Sequence, residues 1–237
     1  FIKERQLTEK LGWRTEDKQY GGWGYCRVVP RKPEPGQFAP PLIESNLSAT
    51  VFAVEALKAA GALDAETAKA AAVFIRRCQN EDGGFHFIYD DPVRNKAGSP
   101  DPPGAKEARF HSYGSTTADG LRALSLCNLP EDKGNIERAR AWLAKHFRAD
   151  THPGEYTRPL EPNREAVYYY YTASVARALR ERKAEKAGGM DWAAALQKEL
   201  GKRQRDDGSW ANPVELVREN DPIVATAAAV SALANCR

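Results

Sequence analysis

Seven residues have the types and positions from which a ligand site could be built. Tyr113, Ser115, Thr116 and Asp119 surround the start of one helical pattern, and Tyr168, Tyr170 and Tyr171 belong to the run YYYY that opens another. Tyrosine rings supply apolar walls with a hydroxyl at the rim, and Asp119 supplies a carboxylate inside its helix, where a buried acid needs a partner. This is binding chemistry more than proton-transfer chemistry. Successive residues of a helix point about 100° apart, so four consecutive tyrosines cannot share one buried face. Either two of them line a cavity beside Tyr113, or the run is a helix edge packed against its neighbours with hydroxyls at the surface.

Other reactive groupings are weaker. His86, Asp90, Asp91 and His111 flank one long loop and could gather around a cation, but their spacing imposes no ligand geometry and a solvated loop is the simpler reading. The pair His111-Ser112 lacks a G-x-S-x-G context, so a hydrolase triad gains no support. Asp221 precedes Pro222 and reads as an N-cap with proline at the first helical position. Cys26, Cys78, Cys127 and Cys236 are far apart and form no C-x-x-C pair, which fits isolated thiols better than a metal or disulfide framework. Neither a metal nor a cofactor is predicted.

The elements that position these residues form a repeat. Thr50, Thr117, Thr172 and Thr226 each have small or apolar residues three and four on, Ala six on and Leu seven on, as in Thr117/Gly120/Leu121/Ala123/Leu124. Offsets of three, four and seven lie on one helix face, and small residues let a neighbouring helix approach closely. Between these Ala/Thr-striped helices come helices with a charged face: one from Asp64 to Gln79, one from Asn135 to Phe147 and one from Asp191 to Gln204. The first patterned helix spans about Asn46 to Ala60 and ends at Gly61, a left-handed cap.

A turn hands each charged helix over to a striped one. It reads Gln79-x-x-Asp82-Gly83-x-Phe85 and Gln204-x-x-Asp207-Gly208-x-Trp210, with a looser form ending at Trp23 and a degenerate one from Phe147 to Tyr156. Glycine permits the positive backbone angle, Asp accepts from turn amides, and the aromatic packs back across the turn. The long segment from His86 to Ser112 is predicted to hold a short hairpin and a Pro/Gly loop. The prediction is therefore an all-α array over residues 1–237, a single repeat domain with striped helices inside and charged helices outside. FIKERQ at the start matches FIRRCQ at Phe74 to Gln79, so the chain opens inside a repeat, and an open or incomplete array with something before Phe1 is expected.

Composition narrows the partners. With 35 basic and 32 acidic residues, net +3, and basic residues scattered on outer faces, no nucleic-acid partner is indicated. The longest nearly apolar run, Ile223 to Ala234, is about a dozen residues, short of the roughly 18 of a membrane span, so no transmembrane segment is predicted. No signal-peptide pattern is present, and the sequence does not indicate a compartment.

The turn Q-x-x-D-G-x-(F/W) resembles the QW repeat of squalene cyclases, and the alternating helices resemble the α/α toroid of the squalene cyclase and protein prenyltransferase β-subunit superfamily. The likeness covers nearly the whole chain and implies an inner concavity for an isoprenoid-like ligand. In oxidosqualene cyclases the inner helix opens D-C-T-A-E-G; here Ser115-Thr116-Thr117-Ala118-Asp119-Gly120 lies over it. Thr, Ala and Gly match, and Asp119 replaces Glu. Ser115 stands where that family has its protonating Asp, and a hydroxyl cannot supply the strong acid that alkene protonation requires. The bacterial D-x-D-D form is missing from Tyr113 to Thr116, no D-x-C pair opens an inner helix to hold the prenyltransferase zinc, and the Cys-Gly-Glu-Gln of toroidal thioester domains is absent.

Two functions follow as expectations. One is a terpenoid cyclase- or prenyltransferase-like protein that lacks the cyclase acid and binds an apolar or isoprenoid-like ligand. The other is a non-enzymatic interaction module whose concave face takes a protein partner, as a peptide, or a saccharide. A toroidal polysaccharide-active enzyme would need a pair of opposed carboxylates.

Overall fold

A computed structural model describes residues 1–237 apart from Asp90, Pro92 and Glu107. Among the described residues it is mainly helical: α1 Leu47–Ala59, α2 Ala65–Arg77, α3 Gly114–Cys127, α4 Lys133–His146, a single turn α5 Asn163–Ala166, α6 Tyr168–Glu181, α7 Trp192–Arg203 and α8 Pro222–Asn235. The one sheet among the described residues pairs β1 Lys186–Ala187 with β2 Met190–Asp191, antiparallel.

The striped helices α1, α3, α6 and α8 form a row in which each packs on the next, with α2 against α1 and α3, α4 against α3, and α7 against α6 and α8. No comparable packing joins α1 to α8. Small residues set this closeness. Gly120 of α3 lies on the ring of Phe85, where a Cβ would fall 2.5 Å from the ring edge, and α8 meets the row through its buried Ala225, Ala229 and Ala232.

The repeated threonine and the repeated turn are one device. The hydroxyl of Thr50 accepts the backbone N–H of Trp23 at 3.1 Å, that of Thr117 the N–H of Phe85 at 3.0 Å, and that of Thr226 the N–H of Trp210 at 3.0 Å. The glutamine closes the same turn, since the side-chain amides of Gln6, Gln79 and Gln204 donate to the carbonyls of Gly21, Gly83 and Gly208 at 2.9, 3.0 and 2.9 Å. Trp23 and Trp210 donate their indole N–H to Ile2 and Leu200, in each case four residues before the glutamine. All three glycines have φ between 82° and 89°, left-handed values that a side chain would strain.

Asp221 caps α8 as the sequence reading expects, and Asn46, Asp64 and Asp191, each at the start of a predicted helix, do the same for α1, α2 and α7, their side chains accepting backbone N–H groups in the first turn. Helix α4 starts earlier than Asn135, because Pro130 begins a 3-10 turn that feeds directly into it at Lys133. The hairpin expected between His86 and Ser112 does not form among the described residues; the short ladder lies at Lys186–Asp191 instead. In the long loop the Asn95 side chain takes the place of a partner strand, accepting from the N–H groups of Phe87 and Ile88 and donating to the carbonyls of Ile88 and Asp91. The degenerate turn before α6 lacks the threonine bond, and Thr172 donates to the Tyr169 carbonyl within its own helix.

Candidate functional site

A cavity of about 350 Å³ opens where the striped helices α1, α3, α6 and α8 begin. The position two before the repeated threonine lines it in every copy: Ser48, Ser115, Tyr170 and Val224. One turn on, Phe52 and Asp119 line it as well, while Ser174 at the same position of α6 lies in the polar cluster below. A further turn on come Glu55, Arg122 and Arg177, which close that cluster. Offsets of four and seven from the first position trace one face of each helix, so α1, α3 and α6 turn the same face to a shared space. Tyr25, Phe87, Lys96, Tyr113, Val167, Val217 and Glu219 complete the wall from the connecting segments and helix edges. A wider depression of about 570 Å³ beside Lys3, Glu9, Lys10 and Lys69 is rimmed by exposed charged chains, and its buried Gln6 is already spent on the Gly21 and Thr67 carbonyls, so the site is placed at the smaller, aromatic-walled cavity.

Asp119 is the hub of the buried polar cluster. Its Oδ2 accepts the Tyr170 hydroxyl at 2.7 Å, and its Oδ1 accepts the Ser174 hydroxyl and lies 3.2 Å from Arg122 Nη1. Because Tyr170 spends its proton on Asp119, the hydroxyl of Ser48, 2.6 Å away, donates to Tyr170. Arg122, only 2% exposed, also pairs with Glu55 of α1, which Arg177 of α6 reaches from the other side at 3.3 Å. Side chains of α1 and α6 thus meet across α3. Burial lifts the Asp119 pKa to about 7, against hydrogen bonds from Ser174 and Tyr170 and the charge on Arg177, and burial lowers Arg122 to about 10.

Two distant residues cap the helices that enter the site. Helix α3 has no side-chain cap of its own, and His152 Nε2 accepts the Ser115 N–H at 2.8 Å. That bond leaves the ring proton on Nδ1, which donates to the Tyr156 hydroxyl at 3.1 Å. Complete burial holds His152 neutral, with its pKa lowered to about 3. At α6, Glu219 accepts the N–H groups of Tyr169 and Tyr170 at 2.9 and 2.7 Å and the Asn212 amide at 2.8 Å, while burial raises its pKa to about 7.

Of the seven residues singled out from sequence, Tyr113, Ser115, Thr116, Asp119 and Tyr170 line the cavity. Tyr168 and Tyr171 do not. They sit three apart on the opposite side of α6, and their hydroxyls donate to the carbonyls of Ala149 and Arg148 at 2.7 and 2.8 Å, with Tyr171 stacked on His152. The hydroxyls therefore end on backbone carbonyls, that of Tyr168 on a buried one. His86 faces Asn80 and Phe110, His111 lies 3.5 Å from Glu155, and Asp91 accepts from the N–H groups of Val93 and Arg94, while Asp90 falls outside the described residues. Among the described residues no three His, Cys, Asp or Glu chains gather as metal ligands, the four cysteines are free thiols, and no helix is long and apolar enough to cross a membrane.

No protein-family model and no curated protein matches this chain. The functional reading rests on the geometry of the cavity.

Ser48, Phe52, Arg122, Lys96 and Glu219 were not singled out from sequence. For the first two a signal existed, since Ser48 stands before Thr50 as Ser115 stands before Thr117, and Phe52 follows Thr50 as Asp119 follows Thr117. Glu219 and Lys96 lie in irregular segments, where no period reports their direction.

Proposed function

We propose that this chain is a terpenoid cyclase- or prenyltransferase-like array that lacks cyclase chemistry and binds an apolar, isoprenoid-like small molecule with one polar end in the cavity at the start of its inner helices. The observation that carries this reading is the lining itself. Aromatic and aliphatic chains form most of the wall, and its carboxylates are already occupied, Asp119 by Tyr170, Ser174 and Arg122, and Glu219 by helix N–H groups. A volume of about 350 Å³ lies within the range of small-molecule sites, which are walled by apolar chains with few polar groups to fix orientation. Lys96 and the Ser115 hydroxyl have no side-chain hydrogen-bond or ion-pair partner among the described residues, and they offer donors for the ligand's polar end. Chemistry at the site argues for binding without cyclisation. Asp119, held near pKa 7, is a far weaker acid than alkene protonation demands, and Ser115 is no acid at neutral pH.

Native mass spectrometry of the purified chain after exposure to lipid extract and an isoprenoid panel tests the reading. One retained ligand per chain is expected, lost when Ser115→Trp fills the cavity. Retention unchanged by that substitution, or binding of an unlabelled peptide or saccharide panel in its place, would assign the concave face to the alternative interaction role.

A further inference from the structure

The cavity carries one positive charge that has no counter-ion among the described residues. Of the side chains that line it, Lys96 is the one basic group. The segment on either side holds this lysine in place. Asn95, 1% exposed, spends its side chain on four backbone groups of the same loop. The fully buried Ala97 accepts the Thr157 N–H at 3.0 Å, and the Asn163 amide donates to the Lys96 carbonyl at 3.1 Å. Burial is the first cause that lowers the Lys96 pKa, so the ammonium itself, and not the stem alone, is drawn in among protein atoms. The charges that act on it are Asp91 and Arg94, which pair with each other at 3.2 Å, while Arg94 also takes Glu44 at 3.1 Å.

A second observation comes from the helix ends. Ser48, Ser115, Tyr170 and Val224 stand in the first turns of α1, α3, α6 and α8, so the positive ends of four helix dipoles open on this space. Two of them already have a carboxylate, Glu219 at α6 and Asp221 at α8. The cap of α1 is the neutral Asn46 and that of α3 the neutral His152, so the start of α3 has no anion as its cap. The Ser115 side chain at that start is 3% exposed and lines the cavity, yet its hydroxyl has no partner among the described residues. Buried hydroxyls are ordinarily hydrogen-bonded, and this one faces the space a ligand would fill.

We propose that the polar end of the ligand is a carboxylate, with Lys96 as its counter-charge and the Ser115 hydroxyl at the start of α3 as its hydrogen-bond donor. The inference rests on the binding reading above and adds the chemical class of the group bound. Charge selects it. A diphosphate would bring several negative charges against one lysine and the two wall carboxylates, Asp119 and Glu219. A neutral alcohol would leave the ammonium in an apolar cavity without a counter-charge. A carboxylate brings a single charge, and Asp119, already engaged with Tyr170, Ser174 and Arg122, does not compete for Lys96.

Calorimetric titration of the purified full chain with farnesoic acid, farnesol and farnesyl diphosphate tests this, because the three share one hydrocarbon chain and differ in the polar end. The acid is expected to bind at least about tenfold more tightly than either of the others, since a hydrogen bond to a charged group is worth about that factor or more. Lys96→Met should remove the preference while farnesol binding holds, which also shows that the variant is folded, and Lys96→Arg should keep most of it. Farnesol or the diphosphate binding as tightly as the acid, or an acid affinity unmoved in Lys96→Met, overturns the carboxylate assignment and leaves the binding reading standing. Binding of none of the three removes that reading and this inference with it.

Discussion

The Tyr170 hydroxyl donates a 2.7 Å hydrogen bond to Asp119 Oδ2, linking the first turn of α6 to the middle of α3 at the wall of the cavity. Asp119 is buried and Tyr170 half-buried at that wall, so the bond supplies a donor to a buried carboxylate oxygen. Ser48 of α1 then donates to Tyr170, and α1, α3 and α6 are joined at one hydroxyl.

Tyr170→Phe removes that hydroxyl while keeping the ring. An orphaned buried acceptor costs about 1–3 kcal/mol, and urea unfolding is expected to show a loss of that size. The Asp119 pKa should rise further, because the Tyr170 bond is one of the interactions holding it down. An unchanged midpoint, with the carboxyl titrating where it did, would mean that the bond contributes nothing.

The repeated threonine bond gives an internal comparison. Thr117→Val deprives the Phe85 N–H of its acceptor in a fully buried setting, whereas Thr226→Val does the same to Trp210 in a half-buried one. The first is expected to cost about 1–3 kcal/mol and the second clearly less, since water can replace the hydroxyl there. Parallel unfolding curves for the two variants decide it, and equal losses would contradict the role given to burial.

Stability should respond to pH through two opposed pairs. His152 and His86 are neutral in the fold, with pKa values lowered to about 3 and 4, so their contribution is complete above the unfolded value near 6.5 and is lost as pH falls toward 3. Asp119 and Glu219 are raised to about 7, so their contribution is present below about 4 and is lost as pH rises through 7. The slopes largely cancel between about pH 4.5 and 6.5, and acid unfolding should steepen below about pH 4. His152→Gln is expected to weaken the acid limb, and Glu219→Gln the limb approaching pH 7, in thermal melts across the range.

Much of the architecture was legible because it is periodic. A threonine with fixed apolar offsets and a turn with glutamine, glycine and an aromatic can be seen in one sequence, and the bonds of Thr50, Thr117 and Thr226 tie those two signals together. The site was legible where it shares that period. Tyr170 and Ser115 hold the same repeat position and both line the cavity, while Tyr168 and Tyr171 differ from Tyr170 by only 2 and 1 positions and point elsewhere. What was hidden are the caps His152 and Glu219, since each reaches a helix start from a distant irregular segment and such contacts leave no local pattern.

Ser115→Asp provides the sharpest test of the binding role against a catalytic one. The substitution puts a carboxyl two residues before Thr117, at the cavity wall, where the resemblance to cyclases would have an acid. It does not supply what makes such an acid strong. The Ser115 N–H is already bound by a neutral histidine, His152, which accepts and does not lend positive charge, and Asp119 stands one turn further along the same face. A second buried carboxyl there raises the pKa of both, the opposite of what alkene protonation needs. The expected outcome is a folded variant that still converts neither squalene nor oxidosqualene, measured by product analysis of extended incubations beside the unmodified chain. Turnover by the unmodified chain would remove the binding-only reading altogether, and turnover by the variant alone would show that the missing acid was all that separated this cavity from a catalytic one.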